Sequence, residues 1–194
     1  MMLGTVGKRK IDSAAEIVAA LGYSILKAKG AVHLVLFSDV IKARASISGL
    51  GQFYSITELL QEENIKGGKA DLEKVARVLL PQLNKATVII IVSDFLNLSE
   101  QWEKSISILS SKTSIIGFMI RDPIDQVLPK GVHKVIIEEP GSARKYILNA
   151  RKSKAAYEAR AKEQENNVER LFSRSNRDFL LLNTSQPFLD KLIN

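Results

Sequence analysis

Four short polar clusters stand where chemistry could be done, each directly behind an apolar run. They are Ser38-Asp39 after 31–37, Ser93-Asp94 after 87–92, Arg121-Asp122-Pro123 after 114–120, and Asn183-Thr184-Ser185 after 179–183. Carboxylate and hydroxyl oxygens dominate them, and hard cations such as Mg²⁺ take oxygen ligands. On an open parallel sheet, ligands gather beyond the carboxyl ends of the strands, so the clusters are expected to share one rim. Asp94, Asp71, Ser93 and Asp39 are the candidate cation ligands. The same residue types also cap helices and close turns, and for any one of them that is the commoner use.

Other chemistries fit poorly. The stretch Gly67-Gly68-Lys69-Ala70-Asp71 lacks the spacing of a phosphate loop, and there is no G-x-G-x-x-G after a strand and no G-x-S-x-G elbow. The absence of cysteine excludes disulfides, thiolate metal sites and a cysteine nucleophile. The two histidines leave few ways to build a triad: His33 reads as a core or interface residue, and His133 has no nearby histidine for a metal pair. The chain is therefore expected not to be an enzyme.

The elements that must hold this rim follow from periodicity. A helix is read over 13–29, opened by a capping box of Ser13 and Glu16 and stopped at Gly30. Its inward stripe is Ile11, Ala14, Val18, Leu21, Ile25 and Ala28. Further helices are read over 56–63, over 71–83 with its end shortened by Pro81, after a Ser99 cap with Trp102 facing inward, and over 151–172. Strands are read at 31–37, 44–48, 87–92, 114–120, 133–137, 145–148 and 179–183. Pro140-Gly141 makes a turn, and Pro187 opens a last short helix. Runs that are apolar on both faces, such as 31–37 and the most hydrophobic run 87–92, belong to buried strands of a parallel sheet. Helices alternating with such strands imply an α/β fold, a mostly parallel sheet covered on both sides, and one domain over 1–194.

The net charge of +7 permits an acidic partner. Much of the excess lies between Arg144 and Arg177, where Arg151, Lys152, Lys154, Arg160 and Lys162 form a candidate basic partner surface. The rival function is a basic nucleic-acid-binding protein, but aromatics are only 6% of residues, which leaves little for a base-stacking platform. No apolar run is long enough to span a bilayer and no signal peptide is read, so a cytoplasmic location is expected.

Residues 8–39, Gly67 to Leu72, Thr87 to Phe95 and Arg121 to Val132 together resemble the family called domain of unknown function fifty-eight. The signature is Asp122-Pro123 followed by Leu128-Pro129 and Gly131, with Asp125 as the acidic residue inside it. The resemblance implies a three-layer, Rossmann-like fold of von Willebrand factor A type and a non-catalytic protein-interaction module. It also implies a MoxR-type AAA+ ATPase as partner, in the assembly or maturation of protein complexes. The fold further implies a metal-ion-dependent adhesion site built from a D-x-S-x-S motif, a threonine and a late aspartate. Asp94 matches the aspartate, Ala70 stands at the threonine position, and D-x-S-x-S is absent. The site is thus expected to be degenerate, holding Mg²⁺ or another divalent cation, or none.

Met1 to Thr5 resemble the segment just behind that motif, so the first, central strand of the fold is expected to be missing. Three resolutions exist: the gene product starts upstream, the flanking strands close up and pair, or a strand from another chain enters. An upstream start is the favoured origin of the sequence. From these residues alone, direct pairing of 31–37 with 87–92, or self-association through the gap, is expected.

Overall fold

A computed structural model describes residues 7–38, 40–61, 70–96, 98, 101–128, 134–138, 145–173 and 177–188. Helix α1 (Lys10–Lys27) leads to strands β1 (Val32–Phe37) and β2 (Ile41–Ile47), then α2 (Phe53–Gln61) and α3 (Leu72–Leu79). Strand β3 (Val88–Ser93), α4 (Trp102–Ser110), β4 (Ser114–Arg121) and the short α5 (Pro123–Gln126) follow. A hairpin of β5 (Lys134–Glu138) and β6 (Lys145–Asn149) precedes α6 (Ala150–Phe172) and β7 (Arg177–Asn183). His133, Pro140-Gly141 and the Ser99 cap lie outside the described residues.

The centre is a parallel sheet in the order β3-β4-β7. Side-chain alternation splits its residues between two helical layers. Ile91 of β3, Ile115 and Met119 of β4 and Phe179 and Leu181 of β7 pack with α3, α4 and α6 through Leu72, Val75, Ile106, Leu109, Val168 and Phe172. Ile90, Val92, Phe118, Ile120 and Leu182 face the other way, onto Ala14 and Ile17 of α1. Both faces are covered, as the sequence implied. Gly117 is required at the middle of β4, because a Cβ there would come within 2.7 Å of the Phe172 ring.

The expected direct pairing of β1 with β3 does not form. β1 pairs antiparallel with β2 alone, as a separate two-stranded sheet. Its cluster of Leu34, Ile47, Leu26 and Ile56 ties it to α1 and α2, while Val35 and Phe37 pack on the α3 layer. Of β1 only Leu34 is buried and His33 is exposed, so His33 is not a core residue.

Helix boundaries correct two readings. α1 begins three residues before Ser13, with the Asp12 carboxylate accepting from the Arg9 backbone N–H at 3.0 Å. Glu16 pairs instead with Lys8. At the other end, Lys29 takes the left-handed conformation (φ 62°), the Lys29 N–H bonds Leu26 O and the Gly30 N–H bonds Ile25 O. That is the Schellman pattern with lysine in the usual glycine position. Gly30 serves a different need: a Cβ there would lie 2.7 Å from the Ile25 side chain. The helix read at 71–83 ends at Leu79 and tightens into a 3-10 turn at Leu80–Gln82, around Pro81.

Candidate functional site at the carboxyl edge of the sheet

The polar clusters behind β3, β4 and β7 do converge, and a residue not foreseen joins them. Lys10, at the first turn of α1, is 1% exposed. Its Nζ lies 3.1 Å from Asp94 Oδ2 and 2.9 Å from Asp125 Oδ2. Two buried carboxylates thus share one ammonium, which pays for their loss of water only because the geometry is close. Burial pushes the Asp94 carboxyl upward, but neighbouring positive charge, Lys10 included, outweighs it and holds Asp94 below its ordinary value.

The local chain sets each partner. Ser93 Oγ accepts from the Phe95 N–H at 3.0 Å and Asp94 Oδ1 from the Leu96 N–H at 3.3 Å, closing a tight turn at the end of β3. Phe95 sits there at φ 50°, held by its ring against Trp102 and Phe172. Trp102 is accordingly a packing residue.

The signature residues Asp122, Pro123 and Asp125 form a capping box. Asp122 Oδ1 accepts from the Ile124 N–H at 3.1 Å, and Asp125 Oδ2 accepts from the Asp122 N–H at 3.0 Å. Pro123 fills the first helical position, where no N–H is needed. Asp122 Oδ2 also accepts from Thr184 Oγ1 at 3.0 Å, and Asn183 Nδ2 donates to Gln126 Oε1 at 2.9 Å, which fastens α5 to the end of β7. Leu128 is buried behind it, whereas Pro129 and Gly131 lie outside the described residues.

Arg121, the last residue of β4, is 1% exposed and lies 3.3 Å from Glu165 of α6. Burial lowers its pKa, and Asp125 and Glu165 partly oppose that. Tyr157 Oη donates to Ile124 O at 2.7 Å. Burial, then Asp125, pushes the Tyr157 phenol above its ordinary value. A cavity of about 310 Å³ opens beside Arg121, Asp125 and Tyr157, with Arg160 on its wall.

The expected cation ligands are dispersed by this arrangement. Asp94 is tied to Lys10, and Ser93 serves its turn. Asp71 caps α3, accepting from the Lys74 N–H at 3.2 Å. Asp39 lies outside the described residues. Among the described residues no three His, Asp or Glu side chains converge as a metal-holding group. The donor set described does not fit a divalent cation, because the place beside Asp94 already carries a positive charge. Of the basic surface, Lys154 pairs with Glu158 at 3.7 Å, Arg160 and Lys162 are exposed on α6, and the side chains of Arg151 and Lys152 lie outside the described atoms. Among the described residues no helix is long and apolar enough to cross a membrane.

Sequence reading placed Arg121 on the rim but missed Lys10 and Glu165. A signal for Lys10 existed: Lys10, Ser13, Ala14 and Ile17, the buried positions in the first half of α1, follow the i, i+3, i+4, i+7 spacing of an inward face. No curated protein matches the chain. Its fold is similar to the crystal structure described as conserved hypothetical protein BatB from Bacteroides thetaiotaomicron, with a TM-score of 0.56 over 99% of this chain and 88% of that one. At 11% identity the likeness is one of fold alone. The family model described as protein of unknown function DUF58 matches residues 1–167, and the chain belongs to that family.

Proposed function

We propose that this chain is a non-catalytic protein-interaction domain of von Willebrand factor A-like type, with a degenerate adhesion site whose cation is replaced by an internal ammonium. The observation that carries this reading is Lys10 Nζ between Asp94 and Asp125. An ammonium with two carboxylates at hydrogen-bonding distance supplies the charge that a bound divalent cation would otherwise bring. The same contact argues against general-base catalysis by Asp94. A useful base titrates near the working pH, whereas Asp94 is held below the ordinary carboxylate range. Asp122 and Asp125 are engaged in capping, so the rim serves to shape a surface.

The partner in this reading is a MoxR-type AAA+ ATPase, and the process is assembly or maturation of protein complexes in the cytoplasm. Support for the partner comes from the family resemblance of Asp122-Pro123 and its neighbours. An exposed aromatic group on α1 and α2 offers a contact surface: Tyr54 is 73% and Tyr23 45% exposed, and both lie against Phe53, Tyr23 edge-on and Tyr54 tilted. Such rings are enriched at the centres of interfaces. Co-purification of the tagged domain with the ATPase tests the reading, and failure to form a complex at micromolar concentrations overturns the assignment of partner. Thermal melting tests the cation. A cation that binds the folded form must raise the midpoint. No shift in Mg²⁺, Mn²⁺ or Ca²⁺ is expected, and a saturable rise sinks the degenerate-site reading.

A further inference from the structure

Two side chains beside the end of β4 are buried without the partners their chemistry calls for. Arg121 is 1% exposed, yet neither its Nε nor its Nη2 has a hydrogen-bond acceptor. Its ion-pair partner is engaged elsewhere: Glu165 Oε1 lies 3.3 Å from Arg121 Nε but accepts from Gln126 Nε2 at 2.9 Å. Gln164 has the opposite deficit. Its Nε2 donates to Phe95 O at 2.7 Å, while its buried Oε1 accepts from nothing. A buried donor or acceptor in this condition has given up water without replacement, so such groups are uncommon and point to something that meets them.

Arg121 and Gln164 line one and the same cavity, of about 310 Å³. A single water needs only about 10–15 Å³ of such space, so there is room for a small organic group. The unmet groups say what kind. A guanidinium calls for an anion, and Arg160, exposed on α6, adds a second positive charge to the wall. Two carboxylates limit how much negative charge can enter: Asp125 also lines the cavity and Glu165 lies against Arg121. A phosphate group, with a charge of about −1.5 to −2 at neutral pH, is repelled by both. A carboxylate carries one charge and matches the planar fork of arginine. Gln164 Oε1 asks the same ligand for an N–H, and Leu96 and Ala161 give it an apolar wall.

We propose that this cavity is a carboxylate-binding site, in which Arg121 and Arg160 hold the carboxylate and Gln164 Oε1 accepts from an N–H of the same ligand. A carboxylate near an N–H is what a polypeptide offers at an acidic residue, and what a small N-acyl amino acid offers in solution. Both sources share the chemistry that the site recognises. The site is distinct from the contact of Lys10 with Asp94 and Asp125, where the charges are already matched within the chain. Whether the ATPase co-purifies bears on the identity of the partner and not on this cavity, so the two readings fail separately.

Nuclear magnetic resonance titration of the ¹⁵N-labelled full chain, at pH 7 and constant ionic strength, tests the site. The signals to follow are the Arg121 Nε–H and the Gln164 side-chain amide. The probes are N-acetyl-leucine, its uncharged amide, inorganic phosphate, and a seven-residue peptide with blocked ends and one central glutamate, beside its glutamine counterpart. N-acetyl-leucine, the glutamate peptide or both should shift these signals saturably, while the amide and the glutamine peptide bind at least about tenfold more weakly, the size of effect expected on losing a charge-assisted hydrogen bond. Tighter binding of the peptide assigns the carboxylate to a partner chain, and tighter binding of N-acetyl-leucine assigns it to a free small acid. Arg121→Lys keeps the charge but loses the fork, and should weaken binding about tenfold. Should that variant not fold, two surface changes carry the test: Arg160→Gln removes the exposed cation, and Ala161→Leu fills the cavity. Both should weaken binding while leaving the thermal midpoint in place. No saturable shift with any probe shows a cavity that holds water only and overturns the proposal. Phosphate binding as tight as the carboxylates, or carboxylate binding unchanged in Arg160→Gln and Ala161→Leu, overturns it as well.

Discussion

Replacing Lys10 by methionine is the sharpest test of the carboxyl-edge cluster. The side chain keeps its length and apolar stem, but the ammonium shared by Asp94 and Asp125 is gone. Lys10 is 1% exposed on its side chain, and the two carboxylates 9% and 8%, so solvent screens the contact little. Breaking a buried ion pair by removing one partner costs about 3–5 kcal/mol. For a chain of this size each kcal/mol moves the midpoint by about 2–4 °C, which gives a fall of about 6–20 °C. The loss must also depend on pH. In the native protein the Asp94 pKa is lowered below 3.8, so its contribution is present above that value and is lost as pH falls through the folded-state pKa. In Lys10→Met, Asp94 loses one of the positive charges that oppose its burial, so its carboxyl rises, and its protonation on acidification relieves the repulsion from Asp125. The stability gap between the two proteins should therefore narrow from pH 7 to pH 4 in urea unfolding monitored by circular dichroism. Adding Asp125→Asn to Lys10→Met should recover part of the loss at pH 7. A loss under about 1 kcal/mol, the size of a solvent-exposed pair, with a gap constant across that pH range would refute the reasoning.

Other outcomes follow from packing and backbone geometry. Gly117→Ala drives a methyl into the Phe172 ring at 2.7 Å and should cost about 1–3 kcal/mol, recovered in part by Phe172→Leu, as read by chemical denaturation. Lys29→Gly relieves a lysine held at φ 62° and should raise stability by up to about 1 kcal/mol; a loss would show that the lysine side chain holds the turn. Tyr157→Phe removes the donor to Ile124 O and should cost about 1 kcal/mol. Because burial raises that phenol, its contribution is present below pH 10 and lost as pH rises through the folded-state pKa, and ultraviolet titration should lose a high-titrating tyrosine in the variant.

Much of the fold was legible because it rests on local patterns. The strongly apolar runs 87–92, 114–120 and 179–183 mark buried strands, and β3, β4 and β7 form there, in parallel. Asp and Ser residues behind them were readable as a common rim, and there Asp122 meets Thr184 while Lys10 joins Asp94 to Asp125. Helix ends were less legible. The Ser13–Glu16 box and the Gly30 stop both have the right residue types, but Asp12 and Lys29 hold those positions, because packing of Lys10, Ala14 and Ile17 fixes where α1 begins.

The amino-acid sequence by itself determined that helices and buried strands alternate, that the strand ends carry oxygen-rich residues, and that cysteine chemistry plays no part. Periodicity and composition act within a few residues, and those features need nothing more. Only the tertiary structure decided which cation meets Asp94, since Lys10 and Asp125 are 115 residues apart and become neighbours only when α1 lies across the sheet. It also decided that, among the described residues, β1 and β3 do not pair with each other. Pairing is set by how far helices and side chains hold two strands apart, and no run of residues along either strand encodes that distance.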